Sequence, residues 1–261
     1  MAQRAARELG RLPLKIRFWL TVSGLVLLLL YVLYLLASHG WDLEKAFGPQ
    51  TEPGITVGTG FAGSGMEEYS TAAIVLDTLE VRRASDFVGY NRSNFGEPWS
   101  DIDDNGCDQR NDILARDLMQ TERNRHCAVL SGSFIDPYTG QELAFTRGAH
   151  SSQDVPIDHV VALANAWVSG AMSLTEEERT HLANDPLNLQ ATGQTPNTNK
   201  SSKDASRWLP QAGYRCEYVA RQVSVKAAYD LWVTPQEKEA MGQVLKTCPE
   251  QPAYRSTYQI R

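Results

Sequence analysis

Hydrophobic and polar positions change their spacing several times along this 261-residue chain. The first regime is residues 18–37, FWLTVSGLVLLLLYVLYLLA, a run without a single charge. At helical rise it spans roughly 30 Å, the thickness of a bilayer core, and it predicts a transmembrane helix. Residues 38–70 follow as a tether, because PGITVGTGFAGSG is rich in glycine and has little to bury. From residue 71 the spacing becomes that of a folded domain. TAAIVLDTLEV (71–81) and NDILARDLMQTE (111–122) repeat apolar residues at helical intervals. FIDPYTGQELAF (134–145) reads as strand, turn, strand, with Pro137 and Gly140 marking the turn. DVPIDHVVAL (154–163) reads as a core strand, and ANAWVSGA after it as a helix. SLTEEERTHLAND (173–185) predicts a helix with Ser173 and Glu176 in capping-box register. PLNLQAT (186–192) alternates like a short strand, and NTNKSSKDASRWL reads as a loop feeding a helix. YVARQVSVKAAYDLWV (218–233) is an amphipathic helix and PQEKEAMGQVLKTC a last one. The expectation is an α+β domain over residues 71–261.

Charge gives this layout an orientation. Arg4, Arg7, Arg11, Lys15 and Arg17 precede the apolar run against Glu8 alone. The positive-inside rule then keeps residues 1–17 in the cytoplasm and puts the domain outside, at the cell membrane. A cleaved signal peptide is the rival reading. Its apolar region is usually roughly 7–15 residues long, shorter than this one, and LASHG is a poor cleavage site. Whether the tether is clipped to release the domain is left open. The whole chain has 25 basic and 31 acidic residues. Five basic and one acidic residue lie in positions 1–37, so the remainder carries 20 against 30, a net charge of −10. Such a domain does not coat nucleic acid through bulk charge, and any phosphate-binding role needs a local patch. Four cysteines fall on the outer side, where disulfides persist. Sequence alone permits three pairings; joining sequence neighbours, Cys107–Cys127 and Cys216–Cys248, is the simplest. The absence of CxxC spacing argues against zinc.

The chemistry of interest begins inside the apolar DVPIDHVVAL, where Asp158 and His159 stand together. Asn188 follows in the strand-like PLNLQAT, and Asn197 nine residues later. Strand with Asp-His, strand with Asn, then helix with Asn resembles the ββα-metal finger of HNH nucleases. The likeness extends over roughly residues 71–250, through GYNRSNFGEPWSDIDDNGCDQRNDILARDL, DPYTG, IDHVVALANAWVSGA, LANDPLNLQAT and NKSSKDASRWLP. These blocks resemble the exported HNH endonuclease-like family related to the GmrSD C-terminal region. One departure is Ala162, where family members often carry proline. The resemblance implies a ββα-metal finger wrapped by helices and metal-dependent cleavage of DNA or RNA.

Elementary chemistry assigns compatible roles. His159, with an ordinary pKa of about 6.5, is a natural general base. Asp158 and Asn197 are oxygen ligands suited to Mg²⁺ or Mn²⁺, and Asn188 is expected to orient the His159 ring. Lys200 could reach a phosphate oxygen. Six basic residues against Asp204 and Glu217 between 197 and 226 could form the local patch. Arg110 could clamp a phosphate or pair with Asp103, Asp104, Asp108 or Asp112. Asp101, Asp103, Asn105 and Asp112 occupy positions 1, 3, 5 and 12 of a candidate calcium loop, with Gly106 at position 6. The chain contains no HExxH, GxSxG, P-loop or dinucleotide fingerprint. The competing class is a non-catalytic surface module that binds nucleic acid, another polyanion or calcium on a nuclease scaffold.

Overall fold

The computed structural model describes Tyr31, residues 71–148 and residues 153–256. The chain divides into two units, 1–54 and 55–261, and the elements from residue 71 onward belong to the second. The predicted membrane helix and tether lie outside the described residues, apart from the helical Tyr31. Among the described residues no helix is long and apolar enough to cross a membrane.

The fold is a mixed α+β arrangement. Helix α1 is Ala72–Thr78, its N-terminus capped by Thr71. A short 3₁₀ turn, Arg92–Phe95, follows, then α2 at Gln109–Asp117. Strands β1 (Met119–Arg123), β2 (Val129–Ile135) and β3 (Glu142–Thr146) form an antiparallel sheet in that order. Strand β4 (Ile157–His159) pairs antiparallel with β5 (Leu189–Ala191), matching Asp158 to Gln190 and His159 to Leu189. Helices α3 (Leu163–Val168) and α4 (Glu176–Asn184) lie between these two strands in sequence. Helix α5 (Gln194–Lys200) follows β5 directly, and α6 (Arg215–Ala228) and α7 (Pro235–Leu245) close the domain.

Three apolar clusters hold these elements together. Val75, Leu76, Tyr218, Val223 and Met241 join α1, α6 and α7. Phe95, Leu163, Trp167, Leu182 and Val225 join the 3₁₀ turn, α3, α4 and α6. Ile113, Phe134, Phe145, Ile157 and Leu189 join α2 to both sheets. Full burial of each such side chain is worth about 1.5–3 kcal/mol. Helix α6 serves the first two clusters, so residues Tyr218 to Lys226 are buried without a break. Its polar members therefore need internal partners. Lys226 pairs with Glu237 of α7 at 2.9 Å and donates to the Trp232 carbonyl at 3.0 Å. Disulfides Cys107–Cys127 and Cys216–Cys248 tie the loop before α2 to the β1–β2 turn, and α6 to the end of α7.

Several boundaries differ from the sequence reading. The helix expected to run to Glu122 stops at Asp117, because Met119–Arg123 pairs with β2. The N-cap of α4 is Thr175, two residues beyond Ser173. Its hydroxyl accepts from the Glu178 amide at 3.2 Å, and the Thr175 amide donates to the Glu178 carboxylate at 2.9 Å. The stretch expected as a loop after β5 begins as helix α5. The ten-residue strand expected over 154–163 shrinks to three residues, for a reason that lies in the site.

Candidate active site

The backbone turns out of β4 immediately after His159. Asn188 fixes that bend: its carbonyl accepts from the Val160 amide at 2.7 Å and its side-chain oxygen from the Val161 amide at 2.8 Å. Its amide nitrogen donates to the Leu182 carbonyl at 3.0 Å, tying the bend to α4. Two arginines hold the segment that carries Asn188. Arg221 donates to the carbonyls of Leu187 at 2.8 Å and Leu189 at 2.7 Å, and Arg116 to those of Pro186 and Leu189, both at 2.7 Å.

Asp158 and His159 are both buried at 7% exposure, and adjacent strand positions turn them to different neighbours. Asp158 accepts from the Tyr138 hydroxyl at 2.7 Å and from Lys200 Nζ at 2.9 Å on Oδ2, with a longer Lys200 bond of 3.2 Å on Oδ1. Burial, then the Asp158 charge, push the Tyr138 hydroxyl well above its ordinary range, so it remains a donor. On the other side, His159 Nε2 lies 2.9 Å from the Ala183 carbonyl oxygen. A carbonyl only accepts, so Nε2 carries the proton and Nδ1 keeps the lone pair. Burial, aided by the charges of Arg92 and Lys200 and opposed by the Ala183 carbonyl, lowers the His159 pKa to about 3. The imidazole is therefore neutral and held in one tautomer.

Two cavities meet at His159. The polar one, of about 360 Å³, is lined by Arg92, Asp158, His159, Asn197 and Ser201, among others. The apolar one, of about 310 Å³, adds Phe95, Pro98 and Trp99 to the shared Arg92, His159 and Leu163. The Trp99 ring lies nearly parallel to that of His159, at 13° and 6.4 Å between centroids. Gly96, in the same segment, lets the chain close against α4. It has φ +73°, and a Cβ there would stand 2.2 Å from Thr180 Oγ1 on α4. Arg92 and Trp99 were not singled out from sequence. Their signal was faint: an arginine and a tryptophan at opposite ends of the GYNRSNFGEPWS block.

The remaining expected site residues fall as follows. Asp158, His159 and Asn197 come together on one cavity wall. Asn188 shapes the backbone on either side of His159, and the His159 ring is held instead by Ala183. Lys200 is fully buried and faces Asp158 and the His159 carbonyl, which it meets at 2.7 Å; a phosphate in the cavity has no path to its ammonium. Arg110 donates to the Val155 carbonyl at 3.0 Å, bracing the approach to β4. The expected basic patch is thinned, because Lys200, Arg221 and Lys226 all point into the core.

The acidic loop at 101–112 is knit by Asn105. Its oxygen accepts from the Cys107 amide at 2.7 Å, which turns its NH₂ toward Asp103 at 3.0 Å and Asp112 at 3.1 Å. A donor thus sits where a calcium loop would present an acceptor. Among the described residues no group of three or more histidines, cysteines or acids is placed to hold a metal ion.

Residues 108–244 match the family model described as GmrSD restriction endonucleases, C-terminal domain. A protein of Arthroderma benhamiae described as an uncharacterized secreted protein is 38% identical over 182 residues, covering 69% of this chain and 85% of that one. No solved structure matches the chain. The chain belongs to the GmrSD C-terminal domain family.

Proposed function

We propose that this protein is an HNH-type endonuclease that hydrolyses phosphodiester bonds of DNA or RNA outside the cytoplasm. The observation that carries the reading is His159, a neutral imidazole locked in one tautomer on a cavity wall shared with Asp158 and Asn197. Family membership supports a nuclease. The secreted relative and the two disulfides support an extracytoplasmic setting. Residues 18–37 would supply the membrane anchor.

In this reading β4, β5 and α5 act as a ββα-metal unit. His159 Nδ1 takes a proton from a water in the polar cavity, and the Ala183 carbonyl stabilises the imidazolium as it forms. His159 is a weak base before substrate arrives. An anionic phosphate entering beside it raises its basicity, because opposite charge favours the protonated ring. Arg92, at the mouth of both cavities, meets the phosphate oxygens. Asp158 and Asn197 would hold Mg²⁺ or Mn²⁺. Both offer hard oxygen, and Asp158 Oδ1 bears only the long 3.2 Å bond from Lys200, so a lone pair is left for a cation. Such an ion, when bound, neutralises charge on the phosphate and the departing oxygen. Lys200 fixes the position of the Asp158 carboxylate.

One observation favours the rival binding module: Asp158 already has two strong internal partners, Tyr138 and Lys200. Plasmid and RNA cleavage by the oxidised protein separates the two readings. It would be run with Mg²⁺, Mn²⁺ and EDTA, beside His159→Ala. Cleavage that needs the metal and disappears in a folded variant supports the enzyme. Nucleic acid bound equally by both proteins and cut by neither supports the module.

A further inference from the structure

The apolar cavity has no task in the hydrolysis just described, yet it opens from the same histidine and arginine. We infer that it is a nucleobase subsite, and that the substrate is a single-stranded polynucleotide or one with an unpaired base beside the cut. This inference rests on the nuclease reading and narrows it.

The two cavities divide the chemistry of a nucleotide. The polar one presents Asp158, His159 and Asn197, groups suited to a phosphate and its ion. The apolar one presents Phe95, Pro98, Trp99 and Leu163, a lining suited to a flat heterocycle. Arg92 lines both and can hold the phosphate that joins them. A base and its own phosphate are joined through a single sugar, so one nucleotide can reach into both spaces at once.

Trp99 is the central element of this subsite. It adopts φ 61°, a left-handed backbone rare for a bulky residue, and backbone of this kind concentrates at ligand-binding sites. Its carbonyl is anchored by the Gln109 amide at 3.2 Å, at the start of α2. The indole is only half-buried, and it borders the cavity. Aromatic faces bind bases without regard to sequence, since every base has a π-face. A paired base in a duplex is stacked on both sides and cannot enter without leaving the helix, at the expense of unstacking. The cavity therefore discriminates by strandedness and not by sequence. Half of the basic patch is internal, with Lys200, Arg221 and Lys226 buried and Lys203, Arg207 and Arg215 left at the surface of an acidic domain, which gives a duplex backbone little positive charge to follow.

The test uses the full-length oxidised protein with Mg²⁺ and three substrates: a single-stranded oligonucleotide, its duplex, and the single strand with an abasic position moved along either side of the cut. We expect the single strand to be cut faster than the duplex. One abasic position adjacent to the cut should slow cleavage by about 5- to 150-fold, the range of one lost base–aromatic stack. Trp99→Ala should give a similar loss on the intact strand and little further loss on the abasic one, while Trp99→Phe should restore most of the rate. Equal cutting of strand and duplex, with no sensitivity to abasic positions or to Trp99→Ala, overturns the subsite and leaves the nuclease standing. A folded protein that cuts none of the three overturns the nuclease reading, and the subsite with it.

Discussion

Replacing Lys200 with methionine should destabilise the fold by about 3–5 kcal/mol, the usual consequence of leaving one member of a buried ion pair alone. The size follows from the local geometry. Lys200 is fully buried and its Nζ lies 2.9 Å from Asp158 Oδ2. At an effective dielectric constant of ~20 that contact amounts to about 6 kcal/mol of attraction, set against the desolvation of both charges. Methionine has a similar length and removes the charge, leaving Asp158 with Tyr138 as its remaining strong donor and the His159 carbonyl without its ammonium partner. The second change, Asp158→Asn, relieves the stranded carboxylate. The double variant should therefore be more stable than the sum of the single losses implies, with a coupling of at least ~2 kcal/mol. Urea unfolding at neutral pH measures this. Tryptophan fluorescence is a local reporter, because Trp208 packs edge-on against Tyr138 at 4.9 Å. A loss below about 1 kcal/mol for Lys200→Met, or additive effects in the double variant, would refute the claim that Lys200 is a structural counter-ion to Asp158.

Three further outcomes are expected. His159 has a folded pKa of about 3 against an ordinary 6.5, so unfolding takes up a proton between those values. Its contribution to stability is complete above pH 6.5 and is lost as pH falls toward 3, at a slope of about 1.4 kcal/mol per pH unit. His159→Gln should flatten the urea-midpoint profile in that window, and an unchanged profile would count against a buried neutral imidazole. Arg221→Met should destabilise by about 3 kcal/mol or more, because the Leu187 carbonyl loses its arginine and those of Pro186 and Leu189 keep only Arg116; it should also lower cleavage by loosening Asn188, as a paired stability and activity assay would show. Ala162→Pro should stabilise by roughly 0.4–1 kcal/mol, since Ala162 already has φ −56°, close to the proline value. A drop in melting temperature would contradict that.

Much of the site was legible because it is written in adjacent or evenly spaced residues. Asp158, His159, Asn188 and Asn197 were picked out by their order within the family blocks, and Asp158, His159 and Asn197 line one cavity. The partner of Asp158 was not legible. Lys200 sits three residues after Asn197 in a run that reads as a polar loop, and only the α5 helix turns its side chain inward. The same limit misplaced the orienting bond of His159, which comes from a backbone carbonyl at Ala183 and leaves no trace in residue identity. The short β4 illustrates a different failure. Val160, Val161 and Leu163 are as apolar as a strand would be, and all three are buried, yet they pack through a bend that Asn188 creates from a distance in sequence. Hydrophobic pattern reports burial and is silent about which backbone delivers it. In α6 the pattern showed a helix but not its depth, because the burial of Arg221 and Lys226 depends on carbonyls and a carboxylate supplied by other segments.

The central claim is that His159 accepts the proton of the attacking water, and chemical rescue tests it most directly. His159→Gly opens a space of imidazole shape beside Asp158 and the Ala183 carbonyl. The account predicts that cleavage falls by about 10²–10⁴-fold and that added imidazole restores part of it, following the fraction of free imidazole base as pH is varied. A folded His159→Gly protein that cuts at the parent rate without imidazole would contradict the account.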